Sequence, residues 1–286
     1  PYTTLFRSLS YIKHFKKNKG DLLKIINHNP KDYFSIVFIF IFSCLLSYGV
    51  GSQMLTYFGL PIVFITMLLS FILHWIAFIP AYFFKTEKFY DILGTIAYLS
   101  ITSLAIYFTV YLSQEELHLR SIFVASLIII WALRLGIFLL IRVLKNGEDR
   151  RFRDPMQSFS KFLLWWSMSA FWVFLTTLNA ITMLTNNFDS ILDVFFIFGL
   201  TLWFIGFGIE LISDEQKRKF KLKPENNENF ISSGLWSVSR HPNYFGEIIL
   251  WIGISIMSLP TLVGIQFLSL ISPIFIYFLL TRISGV

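Results

Sequence analysis

Long runs of apolar residues, broken at short intervals by polar clusters, dominate the chain. A helix crossing a bilayer needs about 20 mostly apolar residues. Eight stretches meet that measure: Tyr33–Tyr48, Leu60–Phe84, Ile92–Leu112, Ile122–Leu144, Phe162–Leu184, Ile191–Ile212, Tyr244–Leu259 and Leu262–Leu280. The first and seventh are short, which leaves seven to eight crossings. Leu259-Pro260-Thr261 is all that separates the last two, so a tight hairpin is predicted there. The expected fold is all-α, a polytopic membrane protein of about eight transmembrane helices.

Composition supports this reading. Of 286 residues, 55% are hydrophobic and only 14% are charged. Soluble domains carry roughly 25% charged residues, so a soluble enzyme, a disordered chain and a disulfide scaffold are all excluded. A single cysteine, Cys44, forms no internal bridge. The net charge of +7 would point to nucleic acid in a soluble protein. Here Lys and Arg alternate between loops. They crowd residues 1–32, then Lys85 and Lys88, then Arg142 to Lys161, then Lys217 to Arg240, and finally Arg282. The intervening loops are bare, or hold only Arg120 beside Glu115 and Glu116. By the positive-inside rule both termini and the basic loops are expected to be cytosolic. The charge is then an orientation signal, and no nucleic-acid partner is implied.

Residues 1–32 read as a basic segment, either a plain anchor or a short interfacial helix with Leu5, Phe6, Leu9, Ile12 and Phe15 near one face. Residues 33–87 hold the first two spans and residues 88–286 the remainder. Gly206-Phe207-Gly208 lies inside a span and lacks a third glycine at Leu211, so it is not a dinucleotide fingerprint. No P-loop and no metal-binding spacing occur; His14, His28 and His118 read as solvated.

Polar chemistry concentrates over residues 213–243. The string Gly234-Leu235-Trp236-Ser237-Val238-Ser239-Arg240-His241-Pro242-Asn243-Tyr244-Phe245-Gly246-Glu247 places Pro242 in a first helical turn. A helix start of this kind offers free N–H groups and a positive dipole end to an anion. Arg240 and His241 stand at that mouth. Asn243 and Glu247 share a face, with Glu247 about one turn inside the apolar run. Gly246 permits close approach of a backbone or a ligand. The bland alternative is a capped helix start with snorkelling side chains. Upstream, Glu210, Asp214, Lys217, Arg218 and Lys221 fall on one helical face if the sixth span continues towards Pro224. They suit either ribose and phosphate binding or a solvated face with a pair such as Asp214–Arg218. Arg134 is mid-span, where a charge costs about 2.5–3.5 kcal/mol on insertion scales, so a partner or a cavity is expected for it. His74 and Asn179 read as packing residues that hydrogen-bond between helices. Arg150, Arg151 and Arg153 read first as topology charge, with Asp149 and Asp154 beside them.

Asp214-Glu215-Gln216-Lys217, Phe220, the stretch Asn226–Phe230 and the Gly234–Glu247 string together resemble the steroid 5-alpha-reductase superfamily, in its bacterial-type branch. Trp131-Ala132-Leu133-Arg134-Leu135 and Gly147-Glu148-Asp149-Arg150-Arg151-Phe152 are similar to that branch too, and the likeness runs from about Lys88 to Val286. The superfamily also includes sterol reductases and isoprenylcysteine or phospholipid methyltransferases. The resemblance implies NADPH at the cytosolic ends of the C-terminal helices. Cofactor roles follow for Asp214, Arg218, Lys221, Asn243 and Glu247, with Arg240, His241 and Tyr244 as motif neighbours. It implies hydride transfer to a lipophilic enone or enoyl substrate within an integral membrane protein of the bacterial inner membrane or an endoplasmic-reticulum-type membrane. The steroid enzymes polarise the ketone with a Glu and a Tyr on early spans; the second span here holds no Glu, and Trp131 stands near the expected Tyr, so the catalytic residues are unassigned. Two other expectations stay open: a methyltransferase using S-adenosylmethionine, and a non-catalytic protein that binds membrane lipid. The substrate's identity and the oligomeric state are not readable from the sequence.

Overall fold

The computed structural model describes residues 29–186, 192–226 and 229–283. The basic segment's proposed interfacial helix falls outside the described residues. Eight helices long and apolar enough to cross a membrane make up nearly all of the rest. They are α1 (Pro30–Gly51), α2 (Ile62–Phe84), α3 (Tyr90–Ser113), α4 (Leu119–Asn146), α5 (Phe159–Asn186), α6 (Val194–Lys221), α7 (Pro242–Ser258) and α8 (Ile271–Phe278). The eighth crossing starts as a 3₁₀ helix over Gly264–Leu270 and ends in a π turn at Leu279–Ile283. Asn29 caps α1 by accepting from the Lys31 amide at 3.1 Å, and Asp193 caps α6 by accepting from the Phe196 amide at 2.9 Å.

Each helix edge lies within a few residues of its apolar run except at two places, of which the first is a correction. Leu60-Pro61, expected inside the second span, is instead a strand. It pairs antiparallel with Thr56-Tyr57, and the hairpin turns through Phe58 and Gly59, both at positive φ. The sixth helix outruns its hydrophobic stretch. It continues through Asp214 and Arg218 to Lys221, and so carries the charged face out of the apolar zone.

Helix α5 is the axis of the bundle. Its apolar window is 83% buried, against 28% for α6 and 33% for α1, and it packs on α1, α2, α3, α7 and α8. Its polar residues serve this position. Asn179 Nδ2 donates to Ser269 Oγ at 3.0 Å, tying α5 to the eighth crossing. His74 of α2 is fully buried between the Ser70 carbonyl and the Ser169 hydroxyl. Both residues act as helix-to-helix glue, as their positions suggest.

The closest helix pair is α6 with α7. A Cβ on Gly206 would lie 2.5 Å from the Gly246 carbonyl, and one on Gly246 would lie 2.5 Å from the Gly206 carbonyl. Gly199 and Gly253 repeat this relationship two turns away. The four glycines let the two backbones touch, as small residues do where membrane helices associate. Gly246 therefore admits a neighbouring backbone. The basic loops meet at one end of the bundle. There Glu87 accepts from the Asp149 amide at 2.8 Å and Lys85 Nζ donates to the Met156 carbonyl at 3.2 Å. Arg151 and Asp149 pair beside them, and those hydrogen bonds hold the Asp149 carboxyl below its ordinary value although burial alone would raise it.

Candidate functional site

The site is assembled where α4, α6 and α7 converge towards the basic end. Arg134 of α4 points at α6. Its guanidinium donates to Glu210 Oε1 and Asp214 Oδ2, each at 2.7 Å. Trp131, one turn earlier on α4, donates its indole N–H to Glu210 Oε2 at 3.1 Å. Glu210 and Asp214 are four apart on α6, so both carboxylates face the same arginine. From α7, Asn243 Nδ2 donates to Asp214 Oδ1 at 3.3 Å, and the other amide atom, Oδ1, is buried without a partner. Glu247 lies one turn further along α7 and is 7% exposed. Its charge interacts with those of Glu210, Asp214 and Arg134. Glycine contact explains the register: Gly246 seats α7 directly on the Gly206 and Glu210 backbone, which brings Glu247 beside the carboxylates.

Charge does not balance in this network. Arg134 pairs with two carboxylates, and a third, Glu247, is buried beside them. Buried carboxylates need partners or protons, so the arrangement suits a ligand that brings hydrogen-bond donors. Outside it, the mouth is basic. Lys217 lies within range of the charges of Arg142, Asp214 and Lys221, and its ammonium stands 4.8 Å from the Trp236 ring centre. His241 stacks on Tyr244 with ring centres 5.2 Å apart. Burial lowers the His241 pKa below its ordinary value, and the nearby charges of Lys217 and Arg240 lower it further.

The loop between α6 and α7 is held by the residues around Asp214. Gln216 Oε1 accepts from the Leu235 amide at 3.0 Å, and the Ser213 carbonyl accepts from the Trp236 indole at 3.0 Å. Gly234 is required here: it has φ +61°, and a Cβ would collide with the Gln216 amide. Lys221 reaches back to the carbonyls of Asn226 and Asn229 at 3.0 and 2.9 Å and closes the first part of the loop. Asp214-Glu215-Gln216-Lys217 thus works as one unit. Asp214 enters the site, Gln216 pins the loop, and Lys217 flanks it.

The structure brings together Asp214, Asn243 and Glu247, with His241 and Tyr244 at the rim. Arg240 is exposed. Arg218 turns outward to a two-pronged pair with Glu215 at 2.6 and 2.7 Å, rather than to Asp214. Sequence reasoning did not identify Arg134, Trp131 and Glu210 as the centre. The available signal was electrical: a mid-span arginine needs mid-span acids, and Glu210 and Asp214 are the pair that a single helix face offers.

Fold and site define a polytopic, all-helical membrane protein with a buried ionic network at one end of its helix bundle. The chain belongs to the family described as proteins of unknown function, DUF1295, which it matches over residues 77–286. No curated protein and no solved structure matches it.

Proposed function

We propose that this protein is an NADPH-dependent reductase of a lipophilic, unsaturated carbonyl substrate, with the cofactor at the cytosolic, basic end. The observation that carries the reading is the two-part character of the site. A basic rim of Arg142, Lys217 and Lys221 adjoins three buried carboxylates, Glu210, Asp214 and Glu247, and the half-buried amide of Asn243. A dinucleotide has matching halves, a polyanion joined to hydroxyls and a carboxamide. The rim would hold phosphate. Asp214 and Glu247 would accept from ribose or carboxamide donors, and the buried, unpaired Oδ1 of Asn243 would be a further acceptor. When bound, the cofactor would supply hydride. The chain's own contribution is to position it: Arg134 fixes the two α6 carboxylates, and the glycine contact fixes Glu247 against them. The resemblance to the steroid 5-alpha-reductase superfamily supports the same assignment.

One observation favours a second reading. The surplus of carboxylate over guanidinium also suits a cation such as the sulfonium of S-adenosylmethionine, the donor of the related methyltransferases. Titrating the full-length protein in detergent with each compound separates the two. NADPH is expected to bind, and charge reversal at Lys217 and Lys221 is expected to weaken it at least tenfold. Binding of S-adenosylmethionine but not of NADPH would replace the reductase with the methyltransferase. Binding of neither would remove both.

A further inference from the structure

The loop from α6 to α7 carries apolar side chains that the described residues leave uncovered. Phe230 is 94% exposed and Val238 is 86% exposed, and Leu222 is more than half exposed. On α6 itself such exposure belongs to the lipid-facing side: Ile197, Phe204 and Leu211 lie outward at heptad spacing. Leu222 falls on the same stripe, about five turns on from Phe204. Phe230 and Val238 lie beyond any spanning helix, and their apolar area in water costs free energy unless something covers it.

Hydrogen bonds set the depth of this loop. Trp236 and Leu235 are tied to Ser213 and Gln216, in the first turn past Ile212, where the apolar run ends. The Val238 amide donates to the Leu235 carbonyl at 3.2 Å, and Pro242 then starts α7. Lys221 holds the Asn229 carbonyl, so the chain runs back from Phe230 towards Leu235 beside Gln216. Val238 is thus held near the level where α6 leaves the apolar zone, and Phe230 lies on the stretch returning to it. Charge suits the same setting. Between Glu215 and Arg240 the chain has six lysines and arginines against three glutamates, so a positive surplus remains. Glu215 is shared by Arg218 and Lys219, while Lys223 and Arg240 are exposed. Apolar side chains beside surplus cations are the pattern of segments that lie in a headgroup layer, and the cations favour anionic lipid there.

We infer that loop residues 222–226 and 229–240 form a docking surface for anionic phospholipid in the leaflet at the basic end, with Phe230 and Val238 reaching the acyl boundary and Lys223 and Arg240 on lipid phosphate. Trp236 and His241 belong to or adjoin this loop, so its seating also sets the rim of the site. Lipid docking is argued from exposure, depth and charge, and does not need the reductase reading.

The test uses the full chain in nanodiscs, without NADPH. A bimane fluorophore is attached to Phe230→Cys in a Cys44→Ser background, and the quencher is a phospholipid spin-labelled near the top of its acyl chain. Discs of phosphatidylcholine alone are compared with discs holding one-third phosphatidylglycerol. Strong quenching is expected with phosphatidylglycerol and severalfold less without it. About 1 M salt, where the screening length is about 3 Å, should remove the difference, and so should Lys223→Gln with Arg240→Gln. With the label moved to Val238→Cys, Phe230→Ser should reduce quenching, which shows that the native ring and not the dye seats the loop. A label at Phe230 that is quenched by soluble iodide and not by lipid overturns the inference. Quenching equal in both discs and indifferent to salt overturns it too, by removing the anionic partner. Protection from iodide and lipid alike overturns it by showing protein over the loop, whether a second copy or other residues of this chain.

Discussion

Arg134 and Asp214 stand 80 residues apart in sequence and 2.7 Å apart in space, and Glu210 takes the other arm of the same guanidinium. This pair of contacts joins α4 to α6 by charge, and the arginine side chain there is only 14% exposed. Arg134→Met would leave two carboxylates buried without their counter-charge. Breaking a buried pair from one side typically costs about 3–5 kcal/mol. The expected outcome is a large drop in thermal stability in detergent, and Arg134→Lys should recover only part of it, since an ammonium lacks the two-armed geometry. Adding Glu210→Gln and Asp214→Asn to Arg134→Met should restore stability. A single substitution that unfolds no more easily than the parent would count against the ionic network.

The contact between α6 and α7 gives a sharper structural test. Gly206→Ala drives a methyl into the Gly246 carbonyl and the Leu250 amide, at 2.5 and 2.6 Å. Neither backbone atom can swing aside, so about 1–3 kcal/mol of destabilisation is expected. A methyl added at Gly208, two residues away, would meet nothing within 4 Å. Gly208→Ala should be neutral, or stabilising by up to about 1 kcal/mol through helix propensity. Parallel melting curves of the two variants give the comparison.

Asn243→Ala and Glu247→Gln separate ligand binding from helix capping. In the site as proposed, each weakens NADPH by about tenfold, the scale of one buried hydrogen bond, with little change in melting temperature. If both lower stability and leave ligand affinity alone, the residues only support the start of α7.

A pH dependence follows from His241. Its pKa in the folded protein lies below the ordinary 6.5 because burial, and then Lys217 and Arg240, disfavour the imidazolium. The unfolded chain therefore takes up the proton first, and stability from this group is present above the ordinary value and lost as pH falls towards the lowered one. A phosphate at the rim would favour the charged ring and raise that pKa. NADPH binding should then take up a proton and tighten as pH falls through the same window. Isothermal titration in two buffers of different ionisation enthalpy would report the proton, and His241→Asn should abolish it.

Orientation is checked with single cysteines. After Cys44→Ser, Ser52→Cys and Lys223→Cys place a thiol at opposite ends of the bundle. Both positions are exposed. In right-side-out vesicles an impermeant maleimide should label Ser52→Cys and spare Lys223→Cys; the reverse pattern would invert the proposed topology.

The helices were legible because the bilayer imposes a length. Each apolar run of about 20 residues had to be a span, and Pro242 and Pro260 marked a helix start and a tight turn. What the runs hid was local. Leu60-Pro61 is as apolar as a helix yet pairs as a strand, because Phe58 and Gly59 reverse the chain. At the site, the string around Asn243 announced polar chemistry and the spacing of Glu210 with Asp214 announced a shared face. That Arg134 needed a partner was legible; which partner was not, since a contact spanning 80 residues is set by helix packing and not by neighbours in sequence. Arg218 went the other way. Glu215, one turn back and equally exposed, was the nearer partner, and a surface pair of that kind forms without tertiary help.

The glycines along α6 and α7 have one more consequence. With backbone against backbone at Gly199–Gly253 and again at Gly206–Gly246, that seam is too narrow for an acyl tail to slip through. The two helices form a sealed back wall. A greasy molecule travelling from the bilayer to Glu247 must enter by another door.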